Sequence, residues 1–242
     1  MNAFIDAVIL SLLEVRECMG SKDKTLFNSY FLGEGGDISS GFDLAAETIL
    51  FKHLKTFGSF YSEESGWMSP KSDVNIITDP IDGSDNFSSS FPYYGVSIAR
   101  EMGGKTTDGI VCNLVNGDIF IRTSDEYFKT YLDNPTLKLP VLPSKNPKIG
   151  LFEKSYEHPD LIKILIGEKF KFRSPGALAL SLAYAPLVKY VLFLGTMRQF
   201  DIQAGLYLSQ HLYGFSDERY ILLSPDEEVF ERIRLIVEKE YF

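Results

Sequence analysis

The stretch Asp79-Pro80-Ile81-Asp82-Gly83-Ser84 carries the densest chemistry in the chain. Two carboxylates flank a Pro-Ile pair, and a glycine and a hydroxyl follow at once. Val74 to Thr78 is a β-branched run that predicts a strand, so Asp79 stands at a strand end and Asp82 in the turn beyond it. A strand end and a tight turn can aim both carboxylates and the Ile81 carbonyl into one small volume. Hard cations such as Mg2+ take that all-oxygen surrounding. Asp85-Asn86-Phe87 can begin a short helix, whose free backbone N–H groups suit a phosphate. A cation and its anionic partner would then sit side by side. By itself, the stretch reads equally well as a surface turn rich in Asp and Gly.

Other regions add carboxylates. Glu63-Glu64 follows a predicted strand, Ser59 to Ser62. Asp43 and Glu47 lie one turn apart on a predicted helix, with Asp37 ahead of it. Asp201 precedes another apolar helix in Gln199-Phe200-Asp201-Ile202-Gln203-Ala204-Gly205. Each has a plainer reading as a solvated loop or a helix cap. Haloacid dehalogenase phosphatases also use an Asp-rich strand end, but one residue separates their aspartates and here two intervene. His53, His158 and His211 are scattered without histidine or cysteine partners, which argues against zinc.

The elements that must position these groups follow from periodicity. Ile5, Val8, Ile9, Leu12 and Val15 predict a helix over Asn2 to Met19, stopped by Gly20. A second helix is expected from about Phe42 to Phe57, after the glycine-rich loop Gly33 to Gly36. Tyr94 to Arg100, Gly109 to Val115 and Asp118 to Thr123 read as strands, the last two joined by Asn116-Gly117 as a hairpin turn. Pro135, Pro140, Pro143 and Pro147 mark a connection, and hence two lobes, 1–140 and 141–242. Strand and helix patterns alternate beyond it, which predicts a layered α/β arrangement.

The chain has 242 residues and a net charge of -9, which disfavours binding to a nucleic-acid polymer. Cys18 and Cys112 suggest reduced thiols, hence a cytoplasmic protein. The N-terminus lacks a basic leader, and the apolar run Ala7 to Leu13 is too short to span a membrane.

In order, Ser62-Glu63-Glu64-Ser65, Asp79 to Phe87 and Phe200 to Gly205 resemble the inositol monophosphatase family. Its pattern is a glutamate pair, then D-P-[IL]-D-G-[ST]-x-N-F, then W-D-x-A-A-G. The family belongs to a lithium-sensitive, metal-dependent phosphatase superfamily with fructose-1,6-bisphosphatase and 3′-phosphoadenosine-5′-phosphate phosphatase. Asp37, Ser40, Asp43 and Glu47 match an upstream pattern, and Arg173-Ser174-Pro175-Gly176-Ala177 matches R-S-x-G-[ST/A]. The resemblance implies an α-β-α-β-α sandwich, usually a homodimer. It implies that Glu63, Asp79 and the Ile81 carbonyl hold a first Mg2+ and that Asp79, Asp82 and Asp201 hold a second. The family also admits a third, weaker ion near Glu63. Ser84 with Asp43, helped by Glu63, would orient the attacking water. Gly83 and Ser84 would bind phosphate, with Ser174, Gly176 and Ala177 on the substrate side.

Departures concern the substrate. Leu194 stands seven residues before Asp201, where inositol phosphatases carry a glutamate that holds ring hydroxyls. Phe200 replaces the usual Trp, and Gln203 the first Ala. The expected activity is Mg2+-dependent hydrolysis of a small phosphorylated metabolite, such as a sugar, polyol or nucleotide phosphate. The alternative is a catalytically impaired homologue kept as a metal- or phosphate-binding regulator.

Overall fold

Asn2 accepts the Ile5 N–H at 2.9 Å and starts α1 (Ala3–Met19), whose buried stripe runs from Phe4 through Val8 and Leu12 to Val15. The computed structural model describes residues 2–21 and 23–241, the Glu240 side chain excepted. A 3-10 turn (Lys24–Phe27) leads to a hairpin of β1 (Ser29–Leu32) and β2 (Ile38–Ser40), with the glycine-rich loop at its tip. Next, α2 (Gly41–Leu54) opens in a capping box that Ser40 and Asp43 form reciprocally. Phe4 and Leu12 of α1 and Leu50 and Leu54 of α2 pack with Ile76, Ile98 and Ile110 of a large sheet.

That sheet has eight strands: β3 (Ser59–Ser62), β4 (Gly66–Trp67), β5 (Val74–Asp82), β6 (Gly95–Met102), β7 (Lys105–Asn113), β8 (Asp118–Arg122), β9 (Tyr127–Tyr131) and β10 (Asn134–Pro140). Their order is β10-β9-β8-β7-β6-β5-β3-β4. Only β3 and β5 pair parallel; the other pairs are antiparallel. A single turn of helix, α3 (Ser84–Ser88), follows β5. Both faces of the sheet are covered. Ile76, Ile110 and Ile119 point to α1 and α2, while their neighbours Ile77, Val111 and Phe120 point the other way. This is the two-residue alternation of a strand with two buried faces.

The second half contributes β11 (Gly150–Glu153), α4 (Pro159–Gly167), β12 (Phe172–Arg173), α5 (Leu178–Ala183), β13 (Val191–Leu194), α6 (Gln199–Ser209), β14 (Tyr213–Ser216), β15 (Tyr220–Ser224) and α7 (Glu227–Ile236). Its five strands run β12-β11-β13-β15-β14. Helices α5 and α6 lie between the two sheets. Leu180, Ala204 and Leu208 pack on the first sheet, and Leu178, Leu182 and Leu206 pack with Val191, Phe193 and Ile221 of the second. Helices α4 and α7 cover the outer face through Leu161, Leu165, Phe230 and Ile233. The layers are therefore α-β-α-β-α, as the resemblance implies. The middle layer is tight: a Cβ added at Gly205 of α6 would come within 2.5 Å of the Leu182 Cβ.

Several elements differ from the sequence reading. Pro135 and Pro140 lie in β10, not in a connection. β10 is an edge strand, where a residue without N–H is tolerated. The second helix ends at Leu54 rather than Phe57. β5 continues through Asp82, so Asp82 is in the strand and not in a following turn. The ladder to β6 slips between Asp79 and Asp82, where Pro80 has no N–H to donate. Among the described residues no helix is long and apolar enough to cross a membrane.

Candidate metal centre

Parallel pairing of β3 with β5 builds the centre. The register puts Ser62 beside Thr78, so the chain leaves both strands together at Glu63 and Asp79. The Glu63 N–H still donates to the Thr78 carbonyl at 3.1 Å, which holds the two exits side by side. Helix α6 brings the third carboxylate. The Ser97 hydroxyl of β6 donates to the Phe200 carbonyl at 3.2 Å, and the Phe200 ring lies 4.8 Å from that of Tyr61. These contacts seat the first turn of α6, and Asp201 with it, over the strand ends. Asp201 is inside the helix, not ahead of it as the sequence suggests.

Carboxylate oxygens of Glu63, Asp79 and Asp201 all lie within 4.8 Å of one another, and all three residues are buried. Burial pushes the Glu63 carboxyl up to about 8, with repulsion from Asp201 adding to it. Burial also holds Asp79 well above the usual carboxylate range, with Glu63 and Asp82 contributing. Asp82 is pushed up to about 8 by burial, although it accepts the Leu180 N–H of α5 at 2.8 Å. Asp82 stands beside the three-carboxylate cluster rather than within it. Glu64, half-buried, rises to about 7, first through burial.

These shifts have a consequence for stability. Each folded carboxyl holds its proton more tightly than the unfolded chain does, so the protonated folded form is favoured and stability is lost as pH rises through the folded values. In protein stripped with EDTA, the thermal midpoint is expected to fall from about pH 4.5, where the unfolded carboxyls ionise, to about pH 8, and the gain on adding Mg2+ to grow over the same interval. Thermal-shift curves at several pH values read this directly; a flat EDTA profile would contradict it.

Asp43 faces the cluster from the first turn of α2. Its Oδ2 accepts the Ser40 hydroxyl at 2.6 Å and the Ser40 N–H at 3.2 Å, which fixes the carboxylate. Its Oδ1 accepts the Ser84 hydroxyl at 2.8 Å, and the same hydroxyl lies 2.9 Å from the Ile81 carbonyl. Burial raises the Asp43 carboxyl, partly offset by the Ser40 and Ser84 hydroxyls. Between Ile81 and Ser84 the chain turns at Gly83, whose φ of 91° is left-handed. A Cβ there would meet the Tyr93 carbonyl at 3.0 Å and the Ala177 Cβ at 3.1 Å. The structure thus gathers Asp43, Glu63, Asp79, Ile81, Asp82, Gly83, Ser84 and Asp201 in one place.

The predicted substrate side is less open. Asn86 of α3 donates to the Tyr93 and Pro175 carbonyls, each at 2.7 Å, and ties the loop 174–177 to the centre. The Gly176 N–H is used within the protein, donating to Glu153 Oε2 at 2.8 Å; the Ala177 N–H also donates to Glu153. The Ser174 hydroxyl accepts the Ser155 N–H at 3.3 Å. Leu194 is buried among Phe152, Leu192 and Leu222 on the outer face of the second sheet, a core residue. Glu47 accepts the Ser65 N–H and hydroxyl at 3.0 and 2.5 Å and braces the loop after Glu63.

Two residues were not visible as functional in the sequence. Glu153, at the end of β11, orders the 174–177 loop and takes the Ser181 hydroxyl as well. Arg198 lies in the acidic centre itself. Its guanidinium forks onto both oxygens of Asp201 at 2.8 and 3.2 Å, and meets Glu63 Oε1 at 2.8 Å and Asp37 Oδ2 at 2.8 Å.

The class is now defined: a five-layered α/β protein around a buried, oxygen-only acidic centre that suits a hard divalent cation. Comparison with known proteins carries this further. Residues 8–210 match the inositol monophosphatase family model. A fructose-1,6-bisphosphatase of Pyrococcus furiosus is 26% identical over 63% of this chain, a match that spans 58% of that protein. A fructose-1,6-bisphosphatase/inositol-1-monophosphatase of Thermococcus kodakarensis is 27% identical over 76% of this chain and 71% of its own length. Among solved structures, the extragenic suppressor protein suhB of Bartonella henselae aligns with a TM-score of 0.79 at 21% identity, covering 98% of this chain and 99% of that one. The chain belongs to the inositol monophosphatase family, a family of phosphomonoester hydrolases.

Proposed function

We propose that the protein hydrolyses a phosphomonoester of a small metabolite with Mg2+ held by Glu63, Asp79, Asp82, Asp201 and the Ile81 carbonyl. One observation carries the reading: three buried carboxylates converge within 4.8 Å beside a Ser84–Asp43 hydroxyl–carboxylate pair. Two Mg2+ ions fit five donors of this kind, and when bound they supply Lewis acidity toward phosphate and water.

The chain's own groups divide the remaining work. The Ser84 hydroxyl donates its hydrogen bond to Asp43, which leaves the Ser84 oxygen lone pairs to accept a hydrogen bond from the attacking water. Ser40 fixes Asp43 so that this direction is held before substrate arrives. Gly83 turns the chain in a left-handed conformation into the single-turn helix that Ser84 opens, and the Gly83 and Ser84 N–H groups are assigned to phosphate oxygens. As the water oxygen bonds to phosphorus its proton passes through the Ser84 hydroxyl to Asp43, the ester P–O bond breaks, and the departing alkoxide takes a proton from solvent water and leaves as the alcohol.

Substrate contacts are assigned to Ser174 and the 174–177 loop. With Gly176 and Ala177 N–H groups occupied by Glu153, that loop contributes shape more than donors. The Leu194 position offers no carboxylate for ring hydroxyls, so the ester is a small phosphorylated sugar, polyol or nucleotide with inositol monophosphate the least favoured on the family pattern alone. Residues 1–140 and 141–242 are read as two lobes that meet at this centre. The free thiols of Cys18 and Cys112 agree with a cytoplasmic setting, and a homodimer follows from the family resemblance. A colorimetric phosphate-release panel over fructose 1,6-bisphosphate, inositol monophosphate and adenosine 3′,5′-bisphosphate tests the reading. Release from at least one is expected. No release from any, with Mg2+ bound normally, would favour the regulatory alternative.

A further inference from the structure

Arg198 is an unusual neighbour for a cation site. It takes both oxygens of Asp201 and Oε1 of Glu63, two of the three clustered carboxylates. Oxygen lone pairs that accept guanidinium N–H groups are not free to ligate a metal along the same directions. An arginine does not give up its proton in a protein, so a cation entering this cluster meets a standing positive charge that can only move aside. The same guanidinium has somewhere to go. Nη1 also meets Asp37 Oδ2 at 2.8 Å and the Gly35 carbonyl at 3.1 Å, both on the glycine-rich hairpin tip. The Asp37 side chain is 84% exposed and lies outside the cluster. That tip is itself seated on the glutamate pair, with the Gly35 N–H donating to the Glu63 carbonyl at 2.8 Å.

We propose that Arg198 is a built-in competitor for Mg2+: its guanidinium and the metal exclude one another from Glu63 and Asp201, and Asp37 with the Gly35 carbonyl retains Arg198 when the metal enters. The inference rests on the metal-centre reading above and adds a residue that sets how tightly the metal is held. An Mg2+ taken up at Glu63 must break the Glu63 contact and one taken up at Asp201 must break the fork, so removing the guanidinium strengthens binding. Lys154 supplies the control. It is exposed, and its field reaches Asp201 without an ion pair to it. A general loss of positive charge is therefore separable from loss of direct competition.

The test is calorimetric titration of Mg2+ into the EDTA-stripped, desalted protein and its R198Q, R198K and K154Q variants. R198Q is expected to bind Mg2+ at least about tenfold more tightly than wild type, and K154Q to stay within about twofold. R198K keeps the charge but cannot fork Asp201, and is expected to tighten binding by about threefold; it decides the matter should R198Q not fold. Unchanged or weaker binding in both arginine variants, or equal tightening in K154Q, would overturn the competition. Failure of the wild-type protein to bind Mg2+ at all would instead remove the metal-centre reading on which it stands.

Discussion

Asp79→Asn is expected to lower phosphate release at least about 10³-fold while leaving the fold intact. Asp79 is the carboxylate that the cluster cannot replace. It lies within 4.8 Å of both Glu63 and Asp201, is almost wholly buried, and sits on the strand whose partner delivers Glu63. Asparagine keeps the volume and one oxygen but removes the charge that a hard cation needs. The same change relieves repulsion, because Asp79 is held high first by burial and then by Glu63 and Asp82. In EDTA the variant is therefore expected to melt later than wild type, by about 2–4 °C for each kcal/mol of strain relieved. Lost activity with gained stability is the signature of a site assembled for a ligand at the expense of the fold. Activity measurements and thermal shift in EDTA read both quantities. Retained activity would remove Asp79 from the centre.

Ser84→Ala is expected to lower kcat about 10²-fold with Mg2+ affinity nearly unchanged. The hydroxyl lies between Asp43 Oδ1 and the Ile81 carbonyl, so its loss removes the group proposed to orient water and leaves a buried carboxylate oxygen unpaired. The unpaired acceptor costs about 1–3 kcal/mol of stability, which separates this variant from Asp79→Asn in the melting curve. Ser84→Thr keeps the hydroxyl and is expected to retain most of the rate. Asp43→Asn joined to Ser84→Ala should be little worse than the poorer single variant, since the two act as a unit. Additive losses would show that they act separately.

What was legible in the sequence was local. Asp79, Ile81, Asp82, Gly83 and Ser84 fall within six consecutive positions, and β-branched residues announce the strand that leads to them. Ser40 and Asp43 form a capping box readable from their spacing. The limits of β3 were predicted as observed because the Gly58 and Glu63-Glu64 breaks bound it closely. What was not legible depends on distant pairing. Nothing near Arg198 in the chain points to Asp37 or Glu63, which lie far upstream and meet it only because α6 crosses the strand ends. Glu153 looks like an ordinary strand residue until its oxygens are seen on Gly176 and Ser181. Pro135 and Pro140 misled because an edge position is a property of the whole sheet, not of the local sequence. The same holds for Asp82, where the slipped ladder at Pro80 lets the strand run on past a residue that normally ends one.

In the proposed function, hydrolysis depends on Mg2+ held by this carboxylate cluster. The most direct measurement follows phosphate release from the best ester of the panel by EDTA-stripped protein, then by the same sample with Mg2+ restored. Release is expected to vanish in EDTA and return with Mg2+, and not to return in Asp79→Asn. Release that persists in EDTA, or that Asp79→Asn supports as well as wild type, would contradict the assignment.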